Sequence, residues 1–271
     1  MVMNRSTTIT CLASAVLTLA PALALDEAIA AVATQYEGTA RLAEGGAFAY
    51  REMHYLERSD DGAGERLVLY LCENGQAFAR KIVSYRAGSL APDFALDDAR
   101  NGYREGVRTV GGERSVFVNY GAKPEQSAPL PDVDGLVADA GIDDFVTQHA
   151  DRLIAGEAVR IPLLVPGERD FMVFKVKRGG DARVDARVDG ESALAFRLTL
   201  GAWYGRFLPH IDVTYTADDR ELRRYEGLSN IRDLKLDNLV VSIDFPPAAR
   251  APLDRPVRDA ARGVALTRSC D

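Results

Sequence analysis

The chain has 271 residues and a formal net charge of -7, with 47% hydrophobic and 27% charged residues. This composition supports a substantial hydrophobic core in one large domain or two small ones. The acidic balance argues against a nucleic-acid partner, because phosphate binding needs clustered lysine and arginine. It also disfavours attraction to anionic lipid headgroups, so we expect no stable membrane insertion.

Residues 1–24 have the pattern of a secretory signal peptide. Arg5 provides the positive start, Ile9 to Leu19 is an apolar run too short to span a bilayer, and Ala22-Leu23-Ala24 fits the small-x-small cleavage rule. We therefore expect cleavage near Ala24 and a periplasmic location. The rest of the chain is predicted to form a single β domain over residues 25–247. Residues 248–271, rich in alanine, proline and arginine, are predicted to form a flexible tail.

Cleavage would remove Cys11 and leave two cysteines, Cys72 and Cys270. They could form one disulfide in an oxidising compartment. Cys72 also ends an apolar run, which fits a buried free thiol in a strand. The free thiol is favoured here, because Cys270 lies in the predicted tail.

Strand-like runs joined by turn signals fill most of the chain. Asn74-Gly75 stands between two apolar runs and is typical of a two-residue hairpin turn with positive φ at Gly75. Near the end of the chain, Gly227, Ser229 and Asn230 indicate a turn between the last two strands. The predicted strands span residues 35–43, 47–58, 66–73, 77–87, 103–110, 115–120, 158–165, 170–177, 182–189, 192–200, 211–216, 221–225 and 239–245.

One helical segment is predicted, over residues 134–155, with Phe145 on its apolar face. Asp139 is a candidate N-cap and Gly156 a candidate C′ residue. So many strands with one helix predict a mainly β fold, a strongly curved antiparallel sheet of half-barrel or barrel-like form with the helix on its concave side. A two-sheet β-sandwich is the alternative.

Tyr50, Glu52 and His54 form the clearest polar cluster, because positions i, i+2 and i+4 of a strand share one face. A carboxylate beside an imidazole could act as an acid/base pair. Apolar neighbours on the same face favour a buried structural network instead. Lys81, in a predicted hairpin one strand further on, would need a buried partner, and Glu52 is the predicted one. No catalytic, metal-binding or cofactor-binding motif is recognisable, so none of these is predicted.

Four motifs resemble an uncharacterised family of exported bacterial proteins. They are Y-x-E-x-H at residues 50–54, N-G-x-x-F-A-R-K at residues 74–81, P-D-F-x-L-x-D-x-R-x-G-Y-x-E-G at residues 92–106 and R-Y-E-G-L-S-N-I-R-D at residues 224–233. That family is similar to the outer-membrane lipoprotein-carrier class, in which a half-open curved sheet holds acyl chains under helical lids. The resemblance implies this fold and carries over no catalytic residue.

Three functional hypotheses follow. The first is a non-enzymatic periplasmic carrier or chaperone that binds an amphiphilic or lipid-like ligand in an apolar groove. Its predicted ligand-binding residues are Tyr50, Glu52, His54, Lys81, Phe145 and Leu198. The second is an envelope enzyme that uses Glu52 and His54 as an acid/base pair, and the third is a protein-binding envelope adaptor with no cavity. An apolar cavity, a polar cleft at Glu52 and His54, or a filled core would distinguish them.

Overall fold

The computed structural model describes residues 32–179, 187–188, 190–201 and 210–270. The predicted signal peptide and most of the predicted strand at residues 182–189 lie outside these ranges.

Antiparallel strands dominate the described residues and form one strongly curved sheet. Its path runs β8-β7-β6-β5-β4-β3-β2-β1-β15-β14-β13-β12-β10-β9, while β11 pairs with β12 and β16 with β1. The end strands β8 and β9 are not paired with each other, so the sheet is not closed. The predicted curved sheet is confirmed, and the sandwich is not found. The strands are β1 Val32–Leu42, β2 Phe48–Arg58, β3 Gly64–Leu71, β4 Ala77–Ser84, β5 Asp93–Asp98, β6 Tyr103–Val110, β7 Glu113–Tyr120, β8 Gln126–Pro129, β9 Val159–Val165, β10 Asp170–Arg178, β11 Arg187–Val188, β12 Glu191–Leu200, β13 Ile211–Thr216, β14 Leu222–Arg232, β15 Asn238–Asp244 and β16 Arg250–Pro252.

The predicted long helix is wrong in length, and two short helices replace it, α1 Gly141–Gln148 and α2 Ala150–Ile154. The helix starts late because Asp139 has a left-handed φ of 46°, which a right-handed helix does not contain. At Gly141 a Cβ would lie 1.8 Å from the carbonyl oxygen of Leu90, so only glycine fits at the first helical position. Asp139 is therefore not the N-cap, whose place Ala140 takes. Gly156 follows the C-cap of α2 with φ 88°, as predicted for a C′ residue.

The two short helices lie on the concave side of the sheet. Phe145, Val146 and Leu153 from the helices pack in one buried cluster with residues of β9, β10, β12 and β13. Alternating side chains of the strands supply the other half of this core, which is the pattern expected of a sheet with one buried face. The helices thus fill part of the concave side.

The hairpin at Asn74-Gly75 is confirmed, with φ 85° at Gly75. Its loop has three residues rather than two, because Cys72 N–H donates to Gln76 O at 2.9 Å and Gly75 N–H donates to Cys72 O at 3.0 Å.

The turn predicted at Gly227, Ser229 and Asn230 is wrong, because β14 continues through all three residues. The turn follows at Asp233, whose side chain accepts from the backbone N–H of Lys235 at 2.8 Å and of Asp237 at 2.9 Å. An aspartate side chain that bonds to the backbone two residues on is typical of a turn.

The described part of the predicted flexible tail, residues 248–270, instead packs against the convex face of the sheet. β16 pairs with β1, α3 (Arg255–Arg262) packs over β3, and Cys270 forms a disulfide with Cys72. Ala261 lies with Leu67 and Leu69 in a small apolar cluster outside the main core. The free-thiol interpretation of Cys72 is therefore also wrong. The arginines that suggested a solvated tail form ion pairs with carboxylates of the sheet.

Candidate functional site

A cavity of about 270 Å³ lies on the concave side of the sheet. Its walls come from β1 to β6 on one side and from β9 and β13 to β15 on the other, with the segment from Asp139 to Asp143 between them. Six charged side chains line it: Glu52, Arg66, Lys81, Glu105, Asp139 and Asp143. The cavity therefore joins charged groups to apolar wall residues in one small space.

Strand pairing explains why charged groups from distant parts of the sequence meet here. His54 lies opposite Val68, Val68 opposite Lys81, Lys81 opposite Leu96 and Leu96 opposite Glu105. Residues directly opposite each other in neighbouring strands point to the same face. His54, Lys81 and Glu105 thus occupy every second strand of one row, about 10 Å from one to the next at the usual strand spacing.

Glu52 and His54 are bonded to each other in the cavity wall. His54 Nε2 lies 2.8 Å from Glu52 Oε2, and both residues are buried. The ring of His54 stacks on Tyr36 with centroids 4.5 Å apart. Burial lowers the pKa of His54 despite the hydrogen bond to Glu52, so the imidazole is neutral at pH 7. Nε2–H then donates to the carboxylate, and Nδ1 is left as an acceptor.

The predicted pairing of Lys81 with Glu52 is wrong. Lys81 Nζ donates to Asp139 Oδ1 at 2.8 Å instead. Burial opposes the charge of Lys81, but the Asp139 carboxylate outweighs it and raises the pKa of the lysine. Asp139 reaches the lysine because its backbone is left-handed and its segment is held by the bond from Ala138 N–H to Leu90 O at 2.9 Å.

Glu105 is the third buried acid of this region and accepts a hydrogen bond from Tyr103 Oη at 2.6 Å. Burial is the largest cause that raises the pKa of Glu105 to about 7, and the nearby Asp139 carboxylate adds to it. The hydrogen bond from Tyr103 opposes this rise most, followed by Arg232, which lies over the Tyr103 ring, and Lys81. Glu105 therefore changes charge near neutral pH.

The rest of the wall is apolar. Leu228 lines the cavity and is 41% exposed, so this part of the wall reaches the surface. The other apolar wall residues include Ile142, Leu163, Leu164, Val213, Leu222 and Ile243.

The structure brings together three of the six predicted ligand-binding residues in this wall, Glu52, His54 and Lys81. Tyr50 lies on the same strand face but below the wall, where its Oη lies 2.7 Å from Ser229 Oγ. Phe145 and Leu198 are buried in the core cluster between the helices and the sheet and do not line the cavity. The helix that was expected to form a lid is packed into the core, and the role of Phe145 and Leu198 in ligand binding stays a prediction.

Glu105 and Asp139 were not among the site residues predicted from the sequence. Glu105 lies in the P-D-F motif, where alternation of Phe94, Leu96 and Asp98 signals the strand β5 that it pairs with. Asp139 carries no local signal of its own, because its partner Lys81 is 58 residues away in sequence.

Within the described ranges, no group of three or more His, Cys, Asp or Glu side chains could hold a metal ion. Among the helices of the same ranges, none is long and apolar enough to cross a membrane.

An open, strongly curved antiparallel sheet with a cavity on its concave side defines a barrel-like β protein. No protein family and no curated protein matches the chain. It is similar to the crystal structure of a β-barrel-like protein of a domain of unknown function, DUF1849, from Brucella abortus, with a TM-score of 0.51. The match covers 84% of this chain and 100% of that one at 8% identity, which shows a shared fold alone.

Proposed function

We propose that the protein is a non-enzymatic carrier that binds one small amphiphile in the concave cavity. The observation that carries this proposal is the wall itself, in which charged side chains face the same 270 Å³ space as leucine, isoleucine and valine. Pockets that bind small molecules are usually mostly apolar with a few placed polar groups that orient the ligand. The similarity to a barrel-like protein supports the fold and carries no information about the ligand.

The size of the cavity limits the ligand. A volume of 270 Å³ equals about nine molecules of liquid water at roughly 30 Å³ each, and so about nine heavy atoms. An eight-carbon chain fits this space. Burial of such a chain contributes about 6 kcal/mol at roughly 0.8 kcal/mol per methylene, while association costs at least about 4 kcal/mol. The chain alone would bind weakly, so the polar head must supply much of the affinity.

Export to the periplasm is part of the proposal. The signal-like pattern of residues 1–24 supports it, and a disulfide between Cys72 and Cys270 fits an oxidising compartment. N-terminal sequencing of protein extracted from its native cells tests this part. A chain that begins near Leu25 is expected, and an intact Met1 in the major species would contradict export.

Amide chemical-shift titration by NMR tests the binding proposal. We expect saturable shifts at residues of the cavity wall with at least one of three eight-carbon probes, octylammonium, octanoate or 1-octanol. Leu222→Trp, which adds volume to the wall, should weaken binding at least tenfold, whereas Val110→Trp at the exposed end of β6, away from the cavity, should not change it. If no probe binds the folded protein, the carrier proposal is wrong.

One observation favours a second candidate, an enzyme with Glu52 and His54 as its acid/base pair. The two side chains are 2.8 Å apart in the wall of a cavity that could hold a substrate. This candidate predicts turnover of a bound molecule that is lost in His54→Gln. The carrier predicts that the bound molecule is recovered unchanged. The adaptor hypothesis is less favoured, because it predicts a filled interior and the protein has a cavity.

A further inference from the structure

We infer that the cavity selects an amphiphile whose head is a primary ammonium group. This inference rests on the proposed carrier function and names the class of ligand. It is carried by the charges of the wall and by buried acceptor atoms that lack hydrogen-bond partners.

Acidic groups outnumber cations in the cavity wall. Four carboxyl groups, of Glu52, Glu105, Asp139 and Asp143, face two cations. Each of the two cations already has a carboxylate partner. Lys81 is paired with Asp139, and Arg66 Nη1 donates to Asp143 Oδ2 at 3.1 Å.

Glu52 and Glu105 are the two carboxyl groups without a cation of their own. Glu52 is bonded to the neutral imidazole of His54, and Glu105 to the hydroxyl of Tyr103. Within the described part of the chain, neither carboxylate has a lysine or arginine nitrogen within the 4.0 Å of an ion pair. A cationic head would supply the missing partner, whereas an anionic head would add to the excess of negative charge.

Two buried acceptors of the same wall have no hydrogen-bond partner among the described residues. They are Oδ2 of Asp139 and Nδ1 of His54. Asp139 is only 9% exposed at its side chain, and His54 is 7% exposed. Buried polar atoms are normally hydrogen-bonded, so these two require a donor. A primary ammonium offers three N–H donors, as lysine does.

One donor of the wall, Nε of Arg66, also lacks a partner. The guanidinium is already paired with Asp143, so its charge needs no anion from the ligand. A hydroxyl oxygen beside the ammonium would accept from this nitrogen. A carboxylate head would meet four carboxyl groups and only two cations, each already paired with a carboxylate.

The pH dependence of binding should report on the acids. Glu105 faces Tyr103 on its own strand, Lys81 on β4, Asp139 before α1 and Arg232 on β14. Its pKa of about 7 means that Glu105 gains its negative charge between pH 6 and pH 8. An alkylammonium, like a lysine side chain, keeps its charge over this range. Octylammonium should therefore bind severalfold more tightly at pH 8 than at pH 6, while 1-octanol should show no such change.

The test compares the three eight-carbon probes on the purified protein by NMR titration at pH 8. We expect octylammonium, with eight carbons and one nitrogen, to bind at least tenfold more tightly than octanoate and more tightly than 1-octanol. If octanoate binds as tightly as octylammonium, or more tightly, the ammonium inference is overturned and the carrier function stands. If none of the three binds, both are overturned.

Two variants locate the effect in the wall. Glu52→Gln and Glu105→Gln should each weaken octylammonium binding at least threefold and leave 1-octanol within twofold. Glu226→Gln, an exposed position of β14, is the matched control and should leave both unchanged. Unchanged octylammonium binding in both wall variants would overturn the inference. The ranking of the probes on the unaltered protein tests it independently of how these variants fold.

Discussion

Lys81 Nζ donates to Asp139 Oδ1 at 2.8 Å and so links β4, in the wall of the cavity, to the segment that leads into α1. Both side chains are nearly buried, with 13% and 9% exposure. The pair fixes the path of the chain across the concave side, because Asp139 is also near Asn230 Nδ2, at 3.4 Å, on β14. Asp139 thus links β4 and β14, two strands that line the cavity.

Removal of one partner of this pair should be worse than removal of both. Lys81→Met leaves the Asp139 carboxylate buried and unpaired, for which a loss of about 3–5 kcal/mol of unfolding free energy is typical. Lys81→Met with Asp139→Asn should lose less. Urea denaturation of the two single variants and the double variant measures the coupling. Lys177→Met on the exposed face of β10 is the control, and additive effects at Lys81 and Asp139 would contradict the pairing.

The Cys72–Cys270 disulfide should contribute strongly to stability, since it links residues 198 positions apart. Long closed loops lose the most chain entropy, and loss of a native disulfide typically costs about 2–5 kcal/mol. We expect Cys270→Ser to lower the thermal midpoint clearly. A reductant should lower the midpoint of the unaltered protein to a similar degree and have no effect on Cys72→Ala with Cys270→Ser. Equal midpoints with and without the reductant would show that the link contributes little.

Substitution of Gly75 should destabilise the protein through the backbone. A Cβ there would meet only Arg51 Nη2, at 3.7 Å, so a steric clash is not expected. The positive φ of 85° instead disfavours an L-residue by about 1–2 kcal/mol. Gly75→Val should therefore cost about 1–3 kcal/mol, and Gly75→Asn much less, because asparagine tolerates this region. Chemical denaturation compares the two, and equal midpoints would rule out a backbone cause.

Local periodicity was sufficient to predict which side chains of β2 and β4 lie in the cavity wall. The spacing of Glu52 and His54 placed both on one face, and the hairpin at Asn74-Gly75 placed Lys81 two strands away. These relations depend on strand alternation and on short loops, which sequence encodes directly.

The residues that pair with these side chains from distant parts of the chain could not be predicted in this way. Asp139 contacts Lys81 because the segment before α1 packs against Leu90. That contact depends on packing between distant parts of the chain. The C-terminal residues were misjudged for the same reason. Arg255 finds Glu57 at a separation of 198 residues, and such a pair leaves no periodic signal in the sequence.

The buried carboxyl of Glu105 should make stability fall as pH rises. Its pKa is about 7 in the folded protein, against 4.5 for an ordinary glutamate, and burial is the main cause. Between these two values the folded state holds more protons than the unfolded state, so the unfolding free energy decreases with pH across this window. Above pH 7 the full loss is present, of order 3 kcal/mol at 1.36 kcal/mol per pKa unit.

Glu105→Gln should remove this term, because glutamine does not ionise. We expect the variant to be more stable than the unaltered protein at pH 8 by up to about 3 kcal/mol and to lose that advantage toward pH 5. His54 acts in the opposite direction, since its pKa is lowered by burial, but it is present in both proteins and cancels in the difference. Urea denaturation of both proteins from pH 5 to pH 8 measures this difference. A difference that does not grow with pH would mean that Glu105 remains ionised across the range, with a cation or a water network compensating its charge.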